Sequence, residues 1–152
     1  MTDVPKSMIG VSGKLLVNSL LLREAVPCQM GKNGFDLVVN LTRPKRTWTV
    51  LVTTNLRPKK AGGKGKMALD WWVAAENTAD FIACVDLSTL RVWIFSRAEF
   101  EKLSQQKAGG KYHLYMYTNK AVALRGKKSM KFDYEYESYR LQNRIHRGVF
   151  DK

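Results

Sequence analysis

The stretch FDLVVNLTRPKRTWTVLVTT, residues 35–54, contains two runs of β-branched and aromatic residues on either side of a turn. Such residues suit a pleated, half-buried surface, so we predict strands at 35–41 and 47–54. The turn between them is Arg43-Pro44-Lys45, which has the proline expected at such a position. Because the connection is short, the two strands are expected to pair as a hairpin within a larger sheet.

On the N-terminal side of this hairpin, one helix is predicted from Ser12 to about Val26. Ser12 can cap the first turn, and Pro27 helps to end the helix. Leucines lie on more than one face, so we expect the helix to be packed between layers of the fold. Residues 1–11 are expected to form a loose start.

On the C-terminal side, the patterns predict further strands and two helices around the same sheet. The resulting order of helices and strands indicates a single α/β domain over residues 1–152, with a central mixed β-sheet flanked by helices. The predicted elements are strands at 81–87, 91–95 and 112–118, a candidate strand at 122–124, a helix with a capping box from Ser96 to Glu99 that closes at Gly109 and Gly110, and a final helix from about Glu137.

The composition describes a folded and strongly basic chain. It has 152 residues, 45% of them apolar, and 26 lysines and arginines against 13 acidic residues, for a net charge of +13. No run approaches the ~20 apolar residues of a membrane span, and no signal peptide is evident, so no membrane association is expected. Cys28 and Cys84 are predicted to be buried free thiols, which suggests a reducing cytoplasm. Two histidines and two isolated cysteines give no zinc-ligand spacing.

The charge is concentrated in the two ends of the chain. Residues 1–66 carry 12 basic and 3 acidic side chains, residues 67–105 carry 3 and 6, and residues 106–152 carry 11 and 4. The three segments therefore have net charges of +9, −3 and +7. A positive surface built from both ends would attract a phosphate backbone, so DNA or RNA is the expected partner. A plain solvated surface is the alternative.

Three basic clusters, at 58–66, at 127–131 and on the final helix, are candidates for contact with that backbone. The glycine-rich segment 58–66 lacks the GxxxxGK(S/T) spacing of a nucleotide-binding loop and is predicted to be a mobile loop. Three arginines recur at i, i+4 and i+7 and would form a basic stripe on the final helix. The candidate nucleic-acid-binding residues are Lys59, Lys60, Lys64, Lys66, Lys127, Lys128, Lys131, Arg140, Arg144 and Arg147.

Aromatic and basic residues alternate in KYHLYMY, residues 111–117. One face of this strand would be a stacking platform for unpaired bases, or the segment packs as an ordinary core strand, which we favour. The same two interpretations, a stacking platform or ordinary packing, apply to Trp71 and Trp72. Because adjacent residues of a strand face opposite sides of the sheet, one of these tryptophans is expected near the surface. His113 is interpreted as a partly exposed strand residue rather than as a general base.

The order of elements in residues 13–97 leads to a family resemblance. A predicted helix is followed by GFDLVV at 34–39, a strand with an aspartate, and by VLVTT at 50–54. A later strand pair is ADFIACVD at 79–86 and VWIFS at 92–96. This order resembles the PD-(D/E)xK nuclease superfamily, whose small intron-encoded and restriction-type endonucleases have about this length. The resemblance implies a restriction-endonuclease-like fold.

The same resemblance implies phosphodiester hydrolysis with Mg²⁺ held by carboxylates. It assigns the first carboxylate to Asp36, which is therefore the candidate catalytic and metal-binding residue. Leu51 stands where the family has glutamate or glutamine, and Thr53 stands where it has lysine. Lys14 follows a glycine at the place of a helix glutamate, and Glu24 is the candidate substitute on that helix. These departures from the family pattern argue against catalysis more than they argue against the fold.

Together, the observations predict a nucleic-acid-binding protein on a nuclease-like fold that has lost most of its metal site. No cofactor is expected, and Asp36 is also explained without a metal, as an aspartate beside a turn. Two alternatives stay open: a Mg²⁺-dependent endonuclease with a rearranged active site, and a structural subunit of a nucleoprotein complex. Self-association into a homo-oligomer is compatible with each. The surplus charge favours holding a polyanion over cutting it.

Overall fold

The computed structural model of the chain describes residues 3–31, 35–61, 66–118 and 132–151. These residues form two sheets, three α-helices and a 3₁₀ helix. In chain order the elements are α1 (Lys6–Arg23), β1 (Cys28–Met30), β2 (Leu37–Thr42), β3 (Lys45–Asn55), β4 (Lys59–Ala61), β5 (Lys66–Ala74), β6 (Phe81–Asp86), β7 (Arg91–Ser96), α2 (Arg97–Leu103), β8 (Gln106–Ala108), β9 (Lys111–Tyr117), the 3₁₀ helix (Asp133–Tyr139) and α3 (Leu141–His146).

Five strands form the first sheet, in the order β1-β2-β3-β6-β7. β3 and β6 are parallel and all other neighbours are antiparallel, so the sheet is mixed, as predicted. The predicted hairpin is β2 and β3, in which Leu37 pairs with Val50. Both side chains are fully buried in a core that they share with Val17 and Leu21 of α1. The hairpin therefore provides the surface on which α1 packs.

A second, antiparallel sheet in the order β4-β5-β9-β8 covers the other face of the first. Its strands β4 and β5 lie in the connection between the parallel strands β3 and β6. Leu69, Trp71 and Leu114 point inward and form a second core with Ile82 and Trp93 of the first sheet. The prediction of a loop over 58–66 is therefore wrong at both ends of that segment, where residues 59–61 belong to β4 and residue 66 begins β5. Burial of the inward side chains of β5 stabilises the β4–β5 hairpin.

Helix α1 begins earlier than predicted. Pro5 lies at its N-terminal boundary, and its carbonyl accepts the N–H groups of Met8 and Ile9, so residues 6–11 are helical rather than loose. The helix ends at Arg23 because Ala25 adopts a positive φ of 60°. It packs on the sheet through one face alone. The prediction that it lies between two layers is wrong, and its outer apolar residues are exposed.

The C-terminal segment is more broken than the predicted helix from Glu137. Arg140 has an extended conformation, with φ −58° and ψ 136°, and separates the 3₁₀ helix from the six-residue α3. The earlier helix α2 begins at the predicted capping box, in which Ser96 Oγ accepts the N–H of Glu99 and the carboxylate of Glu99 accepts the N–H of Ser96. Its predicted end at Gly109 and Gly110 is wrong: the helix ends at Leu103, and the two glycines, both at positive φ, form the turn between β8 and β9. The predicted strand at 122–124 lies outside the described residues.

Both cysteines are free thiols, as predicted. Cys84 is fully buried, and this burial raises the pKa of its thiol well above the usual value. Cys28 is half-buried, and its Sγ lies 3.0 Å from Oδ1 of Asn18. Among the helices that the structure describes, none has the length and apolar character that crossing a bilayer requires.

Candidate nucleic-acid interface

The carboxylate of Asp36 is held by two donors at the start of β2. The N–H of Asp36 donates to the carbonyl of Val50 at 3.1 Å, so the residue extends the ladder between β2 and β3. Its Oδ2 accepts the N–H of Val52 at 2.6 Å, and its Oδ1 lies 3.0 Å from Nζ of Lys14 on α1. The side chain is only 16% exposed. Asp36 therefore links α1 to the hairpin through a shielded ion pair.

A close approach of α1 to β3 brings Lys14 to this carboxylate. Gly13 lies against Thr54, and a Cβ at position 13 would collide with the threonine side chain. Only glycine permits this separation of helix and strand, so the next residue of the helix reaches the start of β2. The glycine is thus a packing requirement that positions the ion pair.

An open cleft of about 530 Å³ lies between the first turns of α1 and the end of β3. Lys6, Arg57 and Lys59 line it, and no acidic side chain among the described residues does. Asn55 fixes one wall, since its side chain exchanges hydrogen bonds of 2.7 and 3.0 Å with the backbone of Asp70. The cleft is therefore a positively charged groove with one wall held by hydrogen bonds. Lys6 and Arg57 escape sequence reasoning because they are far apart in the chain and no local motif joins them.

The structure places three of the predicted lysines on the β4–β5 hairpin. Lys59 lines the cleft, Lys60 is exposed on the same strand, and Lys66 lies with its Nζ 5.9 Å above the ring of Tyr117. The hairpin therefore brings lysines to the cleft and to the outer face of the second sheet. The other predicted lysines, Lys64, Lys127, Lys128 and Lys131, lie outside the described residues.

The three predicted arginines do not form one exposed stripe. Arg140 precedes α3 and lies 3.4 Å from a carboxylate oxygen of Glu137. Arg144 points inward, where its Nη1 donates to Glu99 at 2.6 Å and to the carbonyl of Ile94 at 3.1 Å. Burial alone would raise the pKa of Glu99, but hydrogen bonds from Arg144 and from the N-cap of α2 outweigh it and lower that pKa. Of the three arginines, Arg147 alone is largely exposed.

Aromatic rings form a row on the outer face of the second sheet. The alternation predicted for β9 is confirmed, since Leu114 is buried in the core while its neighbours His113 and Tyr115 face outward. Trp72 of β5 lies across from His113, and the two rings stack at 3.9 Å with an interplanar angle of 2°. His113 is buried rather than partly exposed, because this stack covers it. The row, which we call the aromatic row, comprises Trp72, His113, Tyr115, Tyr117, Phe132 and Tyr134.

Asp70 connects the cleft to the aromatic row. Its Oδ2 lies 3.1 Å from Nε2 of His113, and its Oδ1 lies 3.3 Å from Nζ of Lys59. The hydrogen bond with His113 lowers the pKa of Asp70, burial opposes this change, and Lys59 lowers the pKa further. The net shift is downward, so Asp70 is ionised at neutral pH and holds both partners in place.

With this geometry established, the architecture can be compared with known proteins. The fold is similar to that of a bacterial homing endonuclease, I-Ssp6803I. The superposition covers 98% of this chain and 99% of the endonuclease chain, with a TM-score of 0.58 and 14% sequence identity. No family model and no curated protein sequence matches the chain. The similarity to I-Ssp6803I confirms the predicted nuclease-like α/β fold, and the assignment to the PD-(D/E)xK superfamily stays a prediction.

A nuclease-like fold raises the question of whether these residues fit Mg²⁺. The ion prefers several oxygen ligands, but both oxygens of Asp36 are engaged, one of them by the ammonium of Lys14. The β2–β3 register continues from Leu37 and Val50 to set Leu51 across from Asp36, and Leu51 packs into the second core. Within the described ranges, no three His, Cys, Asp or Glu side chains converge on a possible metal site. The donor set around Asp36 does not fit Mg²⁺.

Glu24 does not complete a carboxylate pair with Asp36. It follows the last residue of α1, ten residues beyond Lys14, which corresponds to about 15 Å along a helix. Its Oε2 lies 2.9 Å from Nε2 of His146 near the C-terminus. The structure therefore separates Glu24 from Asp36 and gives it a partner of its own.

Proposed function

We propose that the protein binds DNA or RNA through the basic cleft and does not require a divalent metal for binding. The observation that carries this proposal is the position of Lys6, Arg57 and Lys59 around one groove on a nuclease-like fold. Lysine and arginine side chains at such a groove bind phosphates and release the counterions around them. Contacts of this kind position a nucleic-acid backbone and do not read its sequence.

The ion pair beside the cleft supports binding without catalysis. Lys14 supplies a positive charge next to Asp36, at the place where the family resemblance implies a carboxylate and a metal. An ammonium attracts phosphate but cannot generate a metal-bound hydroxide. The loss of most of the metal site is therefore part of the proposal, with the positive charge retained.

The test is a salt titration of binding to a fluorescently labelled DNA duplex, with and without EDTA. In the variant Lys6→Gln/Arg57→Gln, the slope of log affinity against log salt should fall by about 0.9 for each phosphate that the protein no longer neutralises. The control variant Lys45→Gln/Lys102→Gln removes the same charge from exposed positions outside the cleft. An equal decrease in affinity in both variants, or wild-type binding that does not weaken with salt, would refute the cleft as the binding site.

The similarity to a homing endonuclease favours a second candidate function, a metal-dependent endonuclease with a rearranged site. Its test is nicking of supercoiled plasmid with Mg²⁺ or Mn²⁺ present, for the wild type and for Asp36→Ala. Nicking by the wild type that disappears in the variant would support this candidate. Nicking that survives the substitution would exclude Asp36 from the mechanism.

A further inference from the structure

Trp72 is exposed although a buried tryptophan is next to it. Its side chain is 42% exposed, whereas that of Trp71 is 1% exposed, as alternation on β5 requires. One ring face of Trp72 stacks on His113, and His113 is in turn held by the carboxylate of Asp70. The exposed ring is therefore fixed in orientation before any ligand arrives. A flat ring face held in one orientation toward solvent is suited to stacking on another flat group.

Cations accompany the aromatic row along the same face. Lys59 lies beside Asp70, one strand away from Trp72, and Lys66 lies over Tyr117 further along the row. The row runs from Trp72 to Tyr134, with successive ring centroids between 3.9 and 6.2 Å apart. Within the row, only the pairs Trp72–His113 and Phe132–Tyr134 are stacked, while the rings between them are tilted or edge-on to one another. Aromatic rings accompanied by lysines complement a ligand that has flat bases and a charged backbone.

We infer that Trp72, supported by His113, stacks on an unpaired base of the nucleic acid held in the cleft. This inference rests on the proposed function and adds to it a class of substrate: single strands, or duplexes with an extruded or unpaired base. Duplex DNA without such a base presents no free ring face to the tryptophan. Stacking on one aromatic side chain changes affinity for a single strand by about 5- to 150-fold.

The test combines tryptophan fluorescence with affinity measurements. Oligo(dT), oligo(U) and an intact duplex are titrated into the wild type, Trp72→Phe, Trp72→Ala and the control Trp48→Phe. Single strands should quench the wild type and the Trp48→Phe control strongly, and this quenching should largely disappear in Trp72→Phe. Trp72→Ala should lower single-strand affinity by about 5- to 150-fold and leave duplex affinity unchanged.

Each outcome of this test separates the inference from the proposed function. If Trp72→Ala binds single strands as tightly as the wild type, the stacking site is refuted while binding in the cleft stands. If the variant weakens single-strand and duplex binding equally, stacking on an unpaired base is also refuted. If the wild type binds no nucleic acid at all, the proposed function is refuted, and the stacking site is refuted with it. The two single strands show whether the sugar matters.

A separate observation concerns the outer face of α1. Met8, Val11, Leu15 and Leu22 of this helix are each between 50% and 60% exposed, and Val4, two residues before its start, is 41% exposed. The spacing of three, four and seven residues between the four helical positions places them in one stripe with the period of a helix–helix seam. From residue 7 to residue 22 the only charged side chain is that of the lysine at position 14. A stripe without charge is unusual for the surface of a chain with net charge +13, so it is expected to be covered.

We propose that this stripe is covered by α1 of a second copy of the chain, in an antiparallel arrangement. A two-fold axis near position 13 sets Val11 opposite Leu15 of the partner subunit. An antiparallel arrangement also brings the N-terminal end of one helix, which Asp3 precedes, to the C-terminal end of the other, where Arg23 of the partner subunit lies, so opposite charges approach each other at both ends of the seam. A stripe that complements itself in this way is what a two-fold interface requires.

Sedimentation equilibrium over a range of protein concentrations tests this arrangement. The wild type should dimerise and Leu15→Glu should remain monomeric at the same concentrations, while the control Leu90→Asp at another exposed leucine should not change the dimer. Asp3→Arg and Arg23→Asp should each weaken the dimer, and the double variant should restore it. A wild type that stays monomeric, or a dimer unaffected by Leu15→Glu, would refute the proposal. The result does not depend on nucleic-acid binding.

Discussion

Replacement of Asp36 by alanine distinguishes a structural carboxylate from a catalytic one. In the structure this side chain accepts the N–H of Val52 at 2.6 Å and pairs with Lys14 at 3.0 Å, while only 16% of it is exposed. Alanine would leave the N–H of Val52 without its acceptor and Lys14 without its counter-charge. We therefore expect Asp36→Ala to unfold more easily than the wild type.

The size of this effect follows from the hydrogen bond and the ion pair. A hydrogen bond to a charged acceptor contributes about 1.5–3 kcal/mol. Lys14 is 34% exposed and can regain water, so the ion pair adds only about 0.5 kcal/mol. The expected decrease in stability is thus about 2–3.5 kcal/mol, or a decrease in Tm of about 4–14 °C for a chain of this size. Asp36→Asn keeps an acceptor for Val52 and should be destabilised about half as much.

The assay is thermal and denaturant unfolding, measured together with duplex binding and plasmid nicking. Glu76→Ala is the matched control, because Glu76 is an exposed carboxylate in a turn. Duplex affinity should be unchanged or slightly higher in Asp36→Ala, since a negative charge near the cleft is removed. Wild-type stability in Asp36→Ala, combined with the loss of a Mg²⁺-dependent nicking activity, would contradict our reasoning and support a metal site.

Three further predictions concern residues that make internal contacts in the fold: Gly13, Asp70 and Arg144. Gly13→Ala should lower stability by about 1–3 kcal/mol, because its Cβ meets Thr54, and the effect should shrink in a Thr54→Ala background; a double-mutant cycle with no coupling would contradict this. Asp70→Asn should be less stable than the wild type at neutral pH. The pKa of Asp70 is lower in the folded protein than in the unfolded chain, where it is about 3.9. The ionised carboxylate therefore stabilises the fold fully above about pH 3.9, and this stabilisation is lost as the pH falls through the folded pKa. In urea unfolding, the free energies of unfolding of the wild type and Asp70→Asn should therefore become equal in acid. Arg144→Ala should be less stable by about 1–3 kcal/mol, because Glu99 loses its partner, with no change in the salt dependence of duplex binding; a smaller salt slope would instead place Arg144 in the interface.

The elements predicted well are those whose signals are local. The hairpin at 35–54 is confirmed because β-branched residues on both sides of a short turn favour adjacent strands. The start of helix α2 is confirmed because Ser96 and Glu99 satisfy each other's backbone N–H groups, an interaction that spans only three residues. Such features depend little on the rest of the fold.

Strand β5 shows where a local pattern misleads. Its first residue closes a glycine-rich, basic segment that is typical of a loop, yet Leu69, Trp71 and Val73 alternate with less buried positions. That alternation was a usable signal for a strand. The partner β9 is about 40 residues away, however, so the second sheet could not be predicted from the hairpin itself.

The arginine stripe fails for a different reason. The spacing of Arg140, Arg144 and Arg147 gives one stripe only if a single helix contains all three. Arg140 is extended instead, and Arg144 is drawn inward by Glu99 and by the carbonyl of Ile94. Periodicity predicts which residues share a face of a helix, but burial and partners decide whether that face meets water.

Only part of the candidate site could be predicted from the sequence. Asp36 and Lys14 are marked by the family resemblance, but their ion pair depends on how closely Gly13 lets α1 approach Thr54. The groove beside them is assembled from segments about 50 residues apart, so its cations share no local motif. Tertiary packing brings them together, and only the structure shows it.

In the proposed function, the ammonium of Lys14 takes the place of a metal ion, and this replacement is our main reason to expect binding rather than cleavage. A divalent ion beside a carboxylate provides positive charge and an open coordination position at which water can be activated. Lys14 keeps the charge in the same place, but it is covalently fixed on α1 and cannot ligate water as a metal does. Phosphate attraction then survives while water activation does not. If this reasoning holds, EDTA should leave binding unchanged, whereas salt should weaken it steeply, and these two responses together separate a nucleic-acid-binding protein from a metal-dependent nuclease.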